Sequence, residues 1–184
     1  MPPRFIARQL SYPTGVAGRV IGHLMNRHNA RMNAFAVHQL GLKPTDRVLE
    51  IGFSGGVTLP ALLDGAAFVG GVDRSRDVVA WARARFMVAV AAGRADFREA
   101  TVEAMPFDAE SFDKVCTVNT AYFWRSLEAG FAEIARVLVP GGRVAIGFLP
   151  KVHMDRMGMP PEIFTTRTPD EVSAALEFQG FLCA

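Results

Sequence analysis

Two short stretches hold the residues whose types and spacing could do chemistry. The first is Glu50-Ile51-Gly52-Phe53-Ser54-Gly55-Gly56, which follows directly on the apolar run that starts at Arg47. Gly52 lets the chain turn sharply and lets a ligand approach the backbone, while Gly55 and Gly56 keep the next helix close to the strand. A dinucleotide fingerprint would place glycines at 52, 54 and 57. The chain has Gly52, Ser54 and Val57 there, so NAD or FAD binding is disfavoured, and the Walker phosphate pattern is absent. The second stretch is Gly70-Gly71-Val72-Asp73, whose acid lies 17 residues past Gly56. That is close to the ~20 residues expected for the carboxylate that accepts from both hydroxyls of a ribose. Glu50 sits where a carboxylate can face a cationic ligand, or else cap backbone amides.

Such residues must be brought together by strand ends, and the pattern supplies the strands. Short apolar runs at 47–51, 67–72, 95–100, 114–118 and 143–149 alternate with helical stretches at 57–63, 75–92 and 126–138. Thr168-Pro169-Asp170-Glu171 reads as the start of a last helix, with an N-cap, a proline at the first helical position and a glutamate to complete a capping box. Alternation of this kind predicts an α/β fold: a Rossmann-like, doubly wound, mostly parallel sheet with right-handed crossovers. Ahead of it, apolar residues in steps of three and four from Val16 to Leu40 predict one continuous helix, stopped by Gly41 and Pro44. Asn26, Asn29 and Asn33 share one face of that helix. Asparagine is a mediocre helix former, so the stripe points to a polar cavity wall or a solvent-facing side. The expected organisation is a helical arm or lid over residues 1–45 and a ligand-binding domain over residues 46–184.

Composition narrows the class. The chain has 184 residues, 50% of them hydrophobic and 21% charged, too apolar for a disordered chain. It has no apolar run long enough for a membrane span and no compact signal-peptide core at its start. Cys116 and Cys183 alone support neither a disulfide framework nor a zinc site, so no metal is expected and a reduced, cytoplasmic setting is. The net charge of +2 conceals an asymmetry: Arg4, Arg8, Arg19, Arg27, Arg31 and Lys43 all precede the first acid, Asp46. A basic arm on a mildly acidic body suggests an anionic substrate, a phospholipid surface or nucleic acid as partner, or a solvated helix face.

The chain resembles class I S-adenosylmethionine (SAM)-dependent methyltransferases, the type 11 subgroup in particular. Leu49 to Gly56 is similar to their first motif and Gly71-Val72-Asp73-Arg74-Ser75 to their second. Thr101-Val102-Glu103-Ala104-Met105-Pro106-Phe107, Ser111 to Val115 with Asn119, and Arg136 to Arg143 resemble three further motifs, in order and correctly spaced. The resemblance implies SAM as cofactor. The backbone from Gly52 through Phe53 and Ser54 to Gly56 would hold its methionine part, with Glu50 nearby, and Asp73 would bind its ribose. Arg74 would pack on the adenine, Thr101 and the Val102 amide would meet the adenine edge, and Asn119 would face the methionine ammonium. Tyr122, Phe123 and Trp124 would wall the methyl-transfer chamber; apart from the resemblance, the asparagine stripe makes Asn29 and Asn33 candidate substrate contacts from the arm.

The chain departs from the family pattern in three places. Ser54 replaces a glycine, which is acceptable if its φ is negative. Thr101 replaces an aspartate and accepts with less charge assistance. The last two strands of the family's sheet are expected to be missing, which leaves an open edge that a second copy would cover. His23, His28 and His153 are the candidate bases by residue type, and residues 151–167 are expected to form an irregular lid loop. The expected activity is methyl transfer to a small-molecule or lipid-like acceptor, with no nucleic-acid substrate and with peripheral membrane contact. Two other readings are a catalytically silent SAM-binding protein and a phospholipid methyltransferase working at a membrane surface.

Overall fold

The computed structural model of the protein describes residues 4–183, without the side chains of His23, Asn26, Arg27 and His28. Three helices lead the chain: α1 (Arg4–Ser11), α2 (Gly15–His28) and α3 (Ala30–Leu40). Five strands follow, β1 (Arg47–Ile51), β2 (Phe68–Asp73), β3 (Ala95–Glu99), β4 (Phe112–Val118) and β5 (Leu138–Gly147). They form one sheet in the order β3-β2-β1-β4-β5, and every neighbouring pair is parallel. Strand order reverses between β1 and β4, so the crevice at their carboxyl ends is where a ligand belongs.

Helices cover both faces. Buried residues of α3, of α4 (Leu59–Gly65) and of α5 (Arg76–Arg85) pack with Val48, Val69 and Cys116 on one side. On the other, α7 (Leu127–Val137) and α9 (Pro169–Phe178) pack with Leu49, Val72 and Val115. Alternate residues of each strand thus enter opposite layers, as a period of two demands. Val48 to Ile51 are all buried, which suits a central strand of a doubly covered parallel sheet. Gly70 and Gly71, poor strand formers, sit in β2 for a packing reason. A Cβ on Gly70 would stand 2.7 Å from the Phe112 ring, and one on Gly71 2.7 Å from Phe97 and 3.0 Å from Phe53. The pair leaves room for an aromatic ring on each face, each worth ~2–3 kcal/mol of burial.

The predicted elements are present with instructive differences. The single helix expected over Val16–Leu40 is broken at Asn29, whose φ of −89° and ψ of 4° close α2 and start α3. Likewise the stretch expected over Ser75–Ala92 divides at Phe86 (φ −109°, ψ 27°) into α5 and α6 (Met87–Ala91), with the Phe86 ring 5.9 Å from Phe97. At Phe86 the ring packing against Phe97 accompanies the interruption of the helical periodicity. The strand expected from Arg143 begins at Leu138, because Pro140-Gly141-Gly142 is absorbed as an irregularity in the pairing with β4. The expected lid loop contains α8 (Lys151–Arg156). The α9 start is the anticipated capping box, Thr168 and Glu171 each accepting the other's backbone N–H. Helix α1 was not anticipated: eight residues are too few for periodicity to register. No helix among the described residues is long and apolar enough to cross a membrane.

Candidate functional site

The glycine loop leaves β1 in a sequence of left-handed backbone conformations. Gly52 has φ 71°, Ser54 φ 44° and Gly56 φ 62°. A Cβ on Gly52 would collide with the Thr120 methyl, so the loop after β1 touches the loop after β4 only because residue 52 is glycine. The condition set for Ser54, a negative φ, is not met. Residues 53–56 close as a tight turn, the Gly56 N–H donating to the Phe53 carbonyl at 2.7 Å, with a positive φ at its first central residue, as in the mirror-image turn types. That conformation also aims the Ser54 N–H at Asp73 Oδ2, 3.0 Å away. Phe53 contributes backbone to the loop, but its ring is buried 5.4 Å from Phe97.

Two carboxylates stand behind this loop, both only 6% exposed. Asp73 ends β2 and accepts one main-chain N–H on each oxygen, from Ser54 and from Ser75 at 2.9 Å. Burial still pushes its pKa up, against those two bonds and the nearby Arg74 charge. Glu50 Oε1 accepts from the Thr58 hydroxyl, whereas its Oε2 is buried without a hydrogen-bond partner. Burial carries the Glu50 pKa from an ordinary 4.5 to about 7, with Thr58 opposing and Asp73 adding to the rise. A buried orphan oxygen beside a second buried acid is costly unless a cation or a hydrogen-bond donor meets it. The pair therefore fits a ligand that brings both positive charge and hydroxyl donors.

The opposite wall comes from the loops after β3 and β4. Thr101, Val102 and Glu103 follow β3, with the Ala100 N–H donating to the Asp73 carbonyl at 3.1 Å. Asn119, directly after β4, has φ 58°, a conformation its short polar side chain tolerates. Its N–H donates to the Gly147 carbonyl at 2.7 Å and its Oδ1 accepts from the Tyr122 hydroxyl at 3.1 Å. Tyr122 also receives the Leu149 N–H, and burial raises its pKa to about 12, so it stays a neutral donor. Trp124 lines the cavity but anchors in the core, 5.2 Å from Phe131.

These walls enclose one cavity of about 460 Å³, within the range of small-ligand sites. Glu50, Gly52, Phe53, Ser54, Asp73, Arg74, Thr101, Val102 and Asn119 all line it, together with Asn29, Asn33, Tyr122 and Trp124; Gly56 closes the turn behind them. Beyond the acids the lining becomes apolar and sulfur-rich, with Met25, Met154, Met157, Met159 and Phe164. The Arg74 guanidinium is engaged by the end of α1. It donates to the Ser11 carbonyl at 2.9 and 2.6 Å and to the Ser11 hydroxyl, and sits 5.7 Å from the Tyr12 ring and 5.5 Å from Phe123. The arm is thereby tied down beside Asp73.

Sequence reasoning missed Ser11 and Tyr12, which no motif marks, and Thr58, whose pairing with Glu50 depends on a contact eight residues away. His153 is exposed on α8 and does not line the cavity, so it is not placed to act as a base. The side chains of His23, His28 and Asn26 fall outside the described residues. Among the described residues no three His, Cys, Asp or Glu side chains converge on a metal-binding point.

Comparison with known proteins agrees with this geometry. A family model described as a methyltransferase domain matches residues 49–146. The uncharacterized methyltransferase YdaC of Bacillus subtilis is 29% identical over 134 residues, 72% of this chain and 72% of that protein. The ubiquinone/menaquinone biosynthesis C-methyltransferase UbiE of Geotalea daltonii is 30% identical over 118 residues, 61% of this chain but only 49% of its own length. In three dimensions the geranyl diphosphate C-methyltransferase of Streptomyces coelicolor A3(2), solved with Mg2+, geranyl diphosphate and S-adenosyl-L-homocysteine, superposes with a TM-score of 0.72. The superposition covers 94% of this chain and 68% of that one at 17% identity, which shows a shared fold.

Proposed function

The chain belongs to the class I SAM-dependent methyltransferases, and from that premise we propose that it moves the cofactor's methyl group onto a small, largely apolar, lipid-like acceptor held beneath its N-terminal helices. The observation that carries this reading is a single cavity with a buried, acid-backed glycine loop at one end and a methionine-and-aromatic wall at the other. The names of two of the similar proteins, a quinone C-methyltransferase and a geranyl diphosphate C-methyltransferase, lie on the same side.

In this reading Asp73 keeps both oxygens turned by main-chain donors so that their remaining lone pairs accept from the ribose hydroxyls. The backbone of residues 52–56 cradles the methionine portion, and Glu50 Oε2, which has no protein partner, accepts from its positively charged end. Asn119 adds a carbonyl or amide to that end, and the Thr101–Val102 turn meets the adenine. When bound, the cofactor supplies an electrophilic sulfonium methyl, which an in-line nucleophile on the acceptor displaces. The protein's part is to align that nucleophile and to exclude water, and enclosure under α1 and α2 serves both. Arg74 acts by fastening the arm and not by stacking on a base.

Thermal unfolding with SAM, its demethylated product and NADH in parallel tests the cofactor. At about 100 times its dissociation constant a ligand adds about 2.7 kcal/mol, or roughly 5–11 °C for a chain of this size. A shift with the first two and none with NADH is expected, and no shift with SAM ends the proposal. Product formation from a panel of quinone-, prenyl- and sterol-type acceptors then separates an active enzyme from a silent SAM binder.

A further inference from the structure

We propose that the outward face of α2, with the exposed arginines of the arm, docks on an anionic phospholipid bilayer. Helix α2 has two faces of different purpose. Gly18 packs against Pro13 and Gln9, and a Cβ on Gly22 would stand 3.5 Å from the Ser54 hydroxyl, so this side lies on the glycine loop. Met25 and Asn29 continue the same side into the cavity. On the other side, Val16, Val20 and Leu24 recur every four residues and are 80%, 53% and 60% exposed. Three large apolar side chains in one stripe on a surface helix need cover.

Charge selects what covers them. No acid occurs before Asp46, while Arg8, Arg19 and Arg31 are exposed, and Arg19 falls one turn from Val16, at the flank of the stripe. Among the acids from elsewhere, Asp77 accepts the Gly15 N–H at 2.8 Å at the start of α2, and Glu162 pairs with Arg4 of α1 at 3.3 Å, so each meets the arm next to or beyond one end of the stripe. A second copy meeting this face symmetrically would set arginine against arginine. A nucleic acid would use the arginines but leave the valines and the leucine in water. An anionic lipid interface satisfies both sets at once, apolar side chains entering the acyl boundary and guanidinium groups meeting phosphates. The inner side of the same helix lines the cavity, so a lipid-like acceptor would pass from the bilayer to the site beneath it. That last step rests on the methyl-transfer reading, whereas the docking does not.

The test is co-sedimentation of the full chain with vesicles of phosphatidylcholine alone and of phosphatidylcholine containing phosphatidylglycerol, at low and high salt. Binding to the anionic vesicles only, weakened by salt, is expected. The triple substitution Val16→Ser, Val20→Ser and Leu24→Ser should lower it by about tenfold or more, and Arg19→Glu should lower it too, with the SAM-induced thermal shift intact in both. No sedimentation with anionic vesicles at low salt overturns the proposal. So does a triple variant that binds like the parent, a self-association that the triple variant abolishes, or tighter binding to an oligonucleotide than to the vesicles. Vesicle binding without any SAM shift upholds the docking and removes only the acceptor step.

Discussion

The glycine-loop end of the cavity and its apolar end are built in different ways. At the first, residues at the carboxyl ends of β1 and β2 and directly after them do the work: left-handed turns at 52, 54 and 56, and two carboxylates fixed by hydrogen bonds from main chain or Thr58. At the second, the walls come from α1, α2, α3, the turn after β4 and residues 149–164, segments far apart in sequence that meet only in the folded chain. A site made of local turns is rigid and tolerates few substitutions. A site made of long-range packing can change its lining by single side chains, and methionine, the most adaptable of them, dominates it.

If that contrast is right, the largest loss of ligand binding should follow from one atom group at the rigid end. Asp73→Ala should weaken SAM binding by about 3 kcal/mol, some hundredfold or more, because two charge-assisted bonds vanish. It should also lower stability, since the Ser54 and Ser75 N–H groups lose their acceptor. Asp73→Asn keeps an acceptor for one of them and should recover part of the stability but little of the binding. Titration calorimetry together with chemical unfolding separates the two effects, and a hundredfold loss for a methionine-wall substitution such as Met157→Ala would reverse the contrast.

The next effect is electrostatic. Glu50 binds a proton more tightly in the folded chain, near 7, than in the unfolded chain, near 4.5. Between those values the native state holds more protons than the unfolded one, so stability falls as pH rises through the window, by on the order of 2–3 kcal/mol in the free protein. Asp73, also raised, acts in the same direction. Glu50→Gln should flatten the slope and stabilise the free protein at pH 8, yet weaken SAM binding. Urea unfolding at pH 5 and pH 8, with and without SAM, checks this, and an unchanged slope in the variant would remove Glu50 from the account.

The same contrast explains how much of the molecule could be read from its residues. The strands, the glycine turn after β1 and the acid that ends β2 were legible because each depends on a few adjacent residues, and the parallel pairing followed from the alternation of strand and helix. The Thr168 capping box was legible for the same reason. Whether Ser54 would meet its condition of a negative φ could not be read, because its positive φ accompanies a hydrogen bond to Asp73 19 residues away. The break at Asn29 and the division at Phe86 escaped because apolar periodicity continues through both, and only the backbone dihedrals mark them. The role expected of Arg74 missed its engagement with Ser11, a contact across 63 residues that no local pattern encodes.

Arg74 is where the two ends meet, and its substitution should therefore divide them. Arg74→Ala removes two hydrogen bonds to the Ser11 carbonyl and the ring contacts with Tyr12 and Phe123. For a half-buried guanidinium these are worth about 1–2 kcal/mol together. The expected result is a rise in acceptor KM of about tenfold with SAM affinity nearly unchanged. A matching loss of SAM affinity would instead give the guanidinium to the adenine.

The smallest effect is the most local. Ser54 holds φ 44° in a region that costs an L-residue about 1–2 kcal/mol, a cost glycine does not bear. Ser54→Gly removes that strain but makes the unfolded chain more flexible, which returns about 0.5–1 kcal/mol of it. The net gain should be a few tenths to about 1 kcal/mol, with the N–H to Asp73 retained because it is main chain. Ser54→Val tests the sign from the other side: a β-branched residue is a genuine outlier at positive φ and should lose about 1–2 kcal/mol or more relative to the parent. If valine and glycine proved equally stable at this position, the turn would be free to adopt negative φ, and the rigidity argued for this end of the cavity would fail at the residue where the sequence departs from the family's glycine.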